Sequence, residues 1–209
     1  MILSYGQLFR LFSDLLHLNE EKSTALTGRL KHFQRAGFPN GTNVGPGLRA
    51  VYGAQQVFAL AFAFRLLALR YSPKDAAAAV EGSIAEIDVA VLRAWTQRER
   101  GSTWVADGPT LVRVVADGLE DLRREDFADG PPDRIVIVDQ RQVWAWLRGV
   151  DEMPGAGIVV LDVDALVADV LETLERLGIA SSAAIAKGRY LLEMSCLASG
   201  LPTPLSWDH

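Results

Sequence analysis

Asn19-Glu-Glu-Lys-Ser-Thr-Ala-Leu-Thr-Gly-Arg-Leu-Lys-His-Phe-Gln-Arg-Ala-Gly-Phe-Pro-Asn-Gly41 is the stretch on which the reading of this chain turns. Leu26, Leu30 and Phe33 recur at helical spacing and make one inward face. At about 100° per residue, Thr24, Thr27, Gly28, Lys31 and Arg35 gather on the opposite face. Asn19 and Thr24 are both good caps, which leaves the start of this helix open between them. Two cations, two short hydroxyls and a residue without a side chain suit close approach to a groove and its phosphates. An ordinary solvated face more often mixes Glu among its Lys and Arg, and no Glu occurs between Lys22 and Arg49.

Gly37-Phe-Pro39 stops that helix. Asn40-Gly41 is a hairpin-turn dipeptide, and Gly45-Pro-Gly47 follows. Five glycines and two prolines between Gly37 and Gly53 imply a tight extended excursion, a wing whose return limb carries Arg49 and Tyr52. Upstream, Ser4 and Gln7 form a capping box, and Leu8, Leu11, Phe12 and Leu15 make a buried stripe. A turn at His17 to Asn19 follows, so residues 1–52 read as helix, turn, helix and wing. Downstream, Ala54 to Arg70 reads as a core helix; its apolar run, Val57 to Leu69, is interrupted by Arg65 and is shorter than the roughly 20 residues that span a bilayer. Ser72-Pro-Lys-Asp75 opens a further helix with Ser as cap, Pro at the first position and an acid at the third. Ile84, Ile87, Val91 and Trp95 then continue a stripe towards Arg100, either as core or as a two-heptad dimer seam.

Four of these pieces stand in an order that resembles the MerR family of transcriptional regulators. Leu3-Ser-Tyr-Gly-Gln-Leu is similar to the family's opening helix motif. Arg29-Leu-Lys-His-Phe-Gln-Arg-Ala-Gly-Phe38 resembles its Thr-Leu-Arg-Tyr-Tyr-Glu-x-x-Gly-Leu. Gly47-Leu-Arg-Ala-Val-Tyr52 resembles the wing closure Gly-x-Arg-x-Tyr with one extra residue, and Leu67-Ala-Leu-Arg-Tyr-Ser-Pro-Lys-Asp75 resembles the join of its third and fourth helices. The resemblance covers residues 1–82. It implies a winged helix-turn-helix in which Lys31 stands at the recognition-helix Arg, and Arg49 and Tyr52 stand where the wing touches phosphate. It also implies dimerisation through the helix after the fourth, which would make Ile84, Ile87, Val91 and Trp95 the seam. The chain departs from the pattern at His32-Phe33, which replace a Tyr pair, in a longer wing, and at Arg70, where Gly is usual.

The second half carries a shape without an evident chemistry. Leu111-Val-Arg-Val-Val-Ala-Asp117, Arg134-Ile-Val-Ile-Val-Asp139 and Gly157-Ile-Val-Val-Leu-Asp162 are apolar runs ending in Asp, with amphipathic segments after each. They read as buried strands with each Asp a helix cap, although the first run also fits a helical period. Asp162 and Asp164 resemble the opening motif of haloacid-dehalogenase-type phosphatases. The Gly-Thr that follows in those enzymes is here Ala165-Leu166, so a capped helix start is the plainer reading. Trp144 and Trp146 straddle one element and suit core packing or an effector pocket. Gly101-Ser suits a hinge, and Trp207 in the Pro-rich tail could latch onto the body or a partner.

The single Cys196, in an apolar final helix, excludes an internal disulfide and a multi-thiolate centre. His17, His32 and His209 are scattered, so no metal site and no cofactor are expected. The net charge of −5 divides into +5 over residues 1–80 (nine Lys or Arg against four acids) and −10 over residues 81–209 (twelve against twenty-two). A basic module fused to an acidic one suggests that the first meets a polyanion. No signal-peptide pattern opens the chain, so a cytoplasmic, nucleoid-associated protein is expected.

The expected fold class is α+β: a mainly helical winged helix-turn-helix over 1–82, a linking or dimerisation helix over 83–100, and a small α/β module over 101–209. The expected function is that of a homodimeric, sequence-specific regulator of double-stranded DNA rather than an enzyme. RNA polymerase or another protein would engage the acidic module, and no membrane is involved. A protein adaptor on the same fold is the alternative, and a phosphohydrolase built on Asp162 and Asp164 a more distant one.

Overall fold

Two three-residue strands, each running straight into a helix, tie the first part of the chain together. The computed structural model describes residues 1–42, 49–100, 108–115, 135–149 and 158–203. Strand β1 (Ile2–Ser4) leads into α1 (Tyr5–Leu15), and β2 (Val51–Gly53) leads into α3 (Ala54–Ala68). The strands pair antiparallel with Leu3 opposite Tyr52. One device starts both helices: Ser4 N–H donates to Gln7 Oε1 at 2.9 Å, and Gly53 N–H donates to Gln56 Oε1 at 3.0 Å. Each Gln thus satisfies an amide left over where a strand turns into a helix. Between the units lie a 3₁₀ turn (Glu20–Lys22) and α2 (Ser23–Arg35).

After α3 come α4 (Pro73–Gly82) and α5 (Ile84–Glu99), then β3 (Leu111–Val115), β4 (Ile135–Val138), α6 (Gln140–Leu147), β5 (Ile158–Asp162), α7 (Val163–Arg176) and α8 (Ser182–Ala198). The architecture is α+β. The second sheet has the order β4-β3-β5, with both outer strands antiparallel to β3. All three apolar runs therefore contain strands, the first included. Asp139 accepts the amide of Gln142 at 2.7 Å and Asp162 that of Ala165 at 2.9 Å, so each caps the helix that follows its strand. Asp117 with the segment after it, the hinge at Gly101, the wing glycines Gly45 and Gly47, and Trp207 lie outside the described residues.

Helix ends are closed by residues of positive φ. At the end of α2, Gly37 (φ 82°) lets Phe38 N–H reach Phe33 O at 2.9 Å, and the two rings pack with centroids 5.2 Å apart. At the end of α3 the same left-handed position is held by Arg70 (φ 72°), with Tyr71 N–H on Leu66 O at 3.2 Å. A side chain there costs about 1–2 kcal/mol over glycine, part of which glycine returns as unfolded-state entropy. Arg70→Gly is therefore expected to stabilise the fold by about 0.5–1 kcal/mol, read as a higher urea midpoint. An unchanged or lower midpoint would show that the Arg70 side chain contributes at least as much as the strain costs.

Helix α5 occupies the centre of the molecule. Ile87, Val91 and Trp95 are fully buried, and Trp95 meets Phe58 of α3 edge-on at 5.6 Å. Helices α3, α7 and α8 pack on α5, as does β4. The stripe Ile84, Ile87, Val91 and Trp95 is thereby corrected from a dimer seam to core, because its last three members are filled from their own chain; Ile84 is half-buried. Helix α7 also packs on α1, and α8 on α3. Arg65 pairs with Asp169 at 3.1 Å, Arg98 with Glu172 at 3.0 Å, and Arg176 with Asp14. The buried apolar side chains of residues 1–82, of α5 and of the second half form one continuous core. Arg65, the charge inside the apolar run of α3, thus sits at the surface. Among the described residues no helix is long and apolar enough to cross a membrane.

One acid lies in that core. Asp88 of α5 is 4% exposed and accepts Gln55 Nε2–H at 2.5 Å. Burial pushes its carboxyl up to about 6, and the Gln55 hydrogen bond only partly offsets this. With the folded value above the unfolded one, the folded state holds the proton longer, so stability falls as pH rises from about 4 to about 6. Asp88→Asn keeps an acceptor for Gln55 and removes the charge. Its stability relative to the parent should be near zero at pH 4 and reach about 2–3 kcal/mol in its favour at pH 7. Urea titrations at both pH values check this; a difference that does not grow with pH would contradict it.

Candidate nucleic-acid interface

The rotation of α2 about its axis is set by aromatic packing. Leu26, Leu30 and Phe33 are buried, and Phe33 stands edge-on to Phe64 of α3 at 5.9 Å, while Phe12 of α1 meets Phe64 at 4.9 Å. With Phe38 these four rings come from α1, α2, the turn after α2 and α3, so the inward face of α2 has one seating. The face turned away is the one the sequence singles out. Thr24, Gly28, Lys31 and Arg35 are exposed along it. At 1.5 Å per residue the row from Thr24 to Arg35 is about 16 Å long, roughly five base steps of duplex.

Thr27 departs from this row. It is half-buried, and its side chain lies close enough to the Tyr5 phenol to perturb it, although the buried Tyr5 hydroxyl makes no hydrogen bond of good geometry. His32 and Arg29 are exposed beside Gly28 and Lys31. The sequence placed both in the motif without assigning them to the surface. The 100° rotation that places Gly28 outward brings His32 within 40° of it, and that signal was present.

The cations of this face and beside it have no partners among the described residues. Lys22, Arg29, Lys31, Arg35 and Arg49 make no ion pair among the described residues, whereas Arg65, Arg98, Arg176 and Arg189 are all paired with carboxylates. No acid occurs from Lys22 to Lys74. A row of unneutralised cations holds a positive potential that a polyanion can relieve.

Around the expected wing the placements differ. Asn40-Gly41 does form a turn: Gly41 has φ 83°, and Thr42 N–H donates to Pro39 O at 3.2 Å. The residues beside it, Phe38 and Thr42, belong to no strand, and β2 pairs with β1 instead. Arg49 is exposed just ahead of β2. Tyr52 is only 2% exposed, opposite Leu3, so its expected place at a phosphate is corrected: the ring is a core residue. Burial and the neighbouring Tyr5 raise its hydroxyl above the ordinary range.

Among its described residues the second half offers no comparable surface. Asp162 caps α7, and Asp164 accepts Thr110 N–H at 2.9 Å, so both carboxylates serve backbone amides. Burial raises Asp164 above the ordinary carboxylate range. No group of His, Cys, Asp or Glu able to hold a metal ion occurs among the described residues. Trp146 is buried with Arg113 over its ring at 5.9 Å, and Trp144 is exposed with Arg148 at 5.8 Å. Cys196 is in the core, where burial and then Asp88 and Glu193 push its thiol up to about 11, so it stays protonated. A cavity of about 260 Å³ opens between Phe38 and Pro39 after α2, Gln55 and Gln56 of α3, and Ile84; Glu81 is the one charge in its lining, so it is no part of the cationic face. No family model matches the chain, and neither a curated protein nor a solved structure matches it.

Proposed function

We propose that this chain is a sequence-specific regulator that binds double-stranded DNA through α2 and acts as a homodimer. The observation that carries the reading is the face Thr24, Gly28, Lys31 and Arg35, exposed, unpaired and held by an aromatic cluster. The resemblance of residues 1–82 to the MerR family supports the same reading. Helix α2 enters the major groove as the recognition helix of a winged helix-turn-helix. Gly28 gives the backbone close approach, Lys31 and Arg35 meet phosphate or base edges, and Thr24 lies nearer the bases. Arg49 contributes a backbone contact from the wing side. The acidic second half keeps the remainder of the protein off the phosphates and leaves a surface for RNA polymerase or another protein.

Selection of bound fragments from genomic DNA, followed by polarisation titration of the recovered site across a salt series, tests this. The expected result is saturable binding that weakens steeply with salt, and at least 10³-fold preference over random duplex at 0.15 M salt. Absence of saturable binding at moderate salt would overturn it in favour of a protein adaptor on the same fold.

A further inference from the structure

An unpartnered apolar face runs the length of α8. Tyr190 is 58% exposed, Leu191 48%, Met194 44% and Leu197 45%, while Ile185, Gly188, Leu192 and Cys196 bury the other side of the same helix. Gly188 lies so close to Met1 that an added Cβ would meet the Met1 backbone N at 2.9 Å, so that side is closed. Along the exposed side, positions 183, 187, 190, 194 and 197 alternate steps of four and three, the 3.5-residue period of a helix–helix seam. From Ser182 to Ala198 the only exposed charge is Lys187. The neighbouring α7 shows the opposite composition, exposing Asp169, Glu172, Glu175 and Arg176.

We infer that α8 packs antiparallel against α8 of a second copy of this chain, with Leu191 of one copy against Met194 of the other. A two-fold axis between those residues brings Lys187 opposite Ala198. There lies the C-terminal, negative end of the partner helix, which has no basic residue of its own in the last turn. A cation at that negative end is favourable, so the one charge on the face has a place in the pair. The four large side chains and the flanking alanines cover about 500 Å² per copy, near 1,000 Å² in all, which suits a reversible dimer of micromolar affinity. This rests on the homodimer reading above and uses no contact with DNA, so it and DNA binding by α2 stand or fall separately.

Sedimentation equilibrium of the full chain from about 1 to 100 μM tests it. The expected result is a monomer–dimer equilibrium. Leu191→Glu and Met194→Glu should each raise the dissociation constant by ~30-fold or more, with an unchanged melting temperature at protein concentrations where the parent is monomeric, because both residues are exposed in the monomer. Lys187→Glu should raise it several-fold. A chain that stays monomeric at 100 μM would mean that another occupant, residues 204–209 or a different protein, covers the face, and would overturn the proposal. Dimerisation at parent strength by Leu191→Glu would place the interface elsewhere, and tighter dimerisation by Lys187→Glu would exclude the antiparallel arrangement.

Discussion

The Lys31→Ala/Arg35→Ala double variant is expected to lose about 10–100-fold in affinity for its DNA site at 0.15 M salt. Both side chains leave the exposed face of α2 and pair with no described residue, so their removal frees no buried acid and opens no cavity. The loss should therefore appear in binding and leave the urea midpoint unchanged. If both cations meet phosphates, the slope of log K against log salt should become shallower by about 2, close to 0.9 per contact removed. If one reads a base edge, the slope changes by about 1, and discrimination at one base pair falls by about 1–3 kcal/mol. Affinity and slope that both match the parent would remove α2 from the interface. Carboxylate-paired Arg98→Ala is the control and should change neither quantity.

Trp95→Ala is expected to cost about 3–5 kcal/mol, a large part of the roughly 5–15 kcal/mol that holds a domain together. Trp95 is 1% exposed, meets Phe58 edge-on at 5.6 Å, and sits on a helix covered by α3, α7 and α8. Its loss leaves a void at the point where the first and second halves of the core join. Because the contacts are within one chain, the urea midpoint of the variant should shift by the same amount at 1 and 100 μM protein. A shift that depends on concentration would return Trp95 to a dimer seam. Should the Ala variant fail to fold, Trp95→Phe, expected to cost about 1–2 kcal/mol, allows the same comparison.

The exposure of Thr24, Gly28, Lys31 and Arg35 was legible because a single amphipathic helix needs little beyond its own period. Leu26, Leu30 and Phe33 point one way, so the residues 180° from them must point the other, whichever partners cover the apolar side. Thr27 and His32 exchanged prominence for a related reason. They lie on the flanks of the helix, where exposure depends on the neighbours; here α1 brings Tyr5 up to Thr27 and leaves His32 open.

Tyr52 was misplaced because its partner is not local. A turn at Asn40-Gly41 favours a hairpin, yet β2 spends its hydrogen bonds on β1, nearly fifty residues earlier, and that pairing turns Tyr52 inward against Leu3. The α5 stripe and the α8 stripe show the same limit from opposite sides. Both helices are apolar on more than one face, and periodicity reports that a face is apolar without saying what covers it. Ile87, Val91 and Trp95 are satisfied within the chain, whereas Tyr190, Leu191, Met194 and Leu197 are not.

By itself the sequence determined the local grammar of this protein: the Ser4, Ser72, Asp139 and Asp162 caps, the strands that end in Asp, the inward stripes of α1 and α2, and the cationic side of α2. Each depends on residues within a few positions of one another, so spacing alone is enough. The tertiary structure decided which apolar faces are paid for within one chain. It closed α5 beneath three helices, drew Tyr52 into a strand pair, and left α8 with an uncovered face. Those outcomes depend on contacts between segments far apart in sequence, and no local pattern encodes which distant surface arrives first.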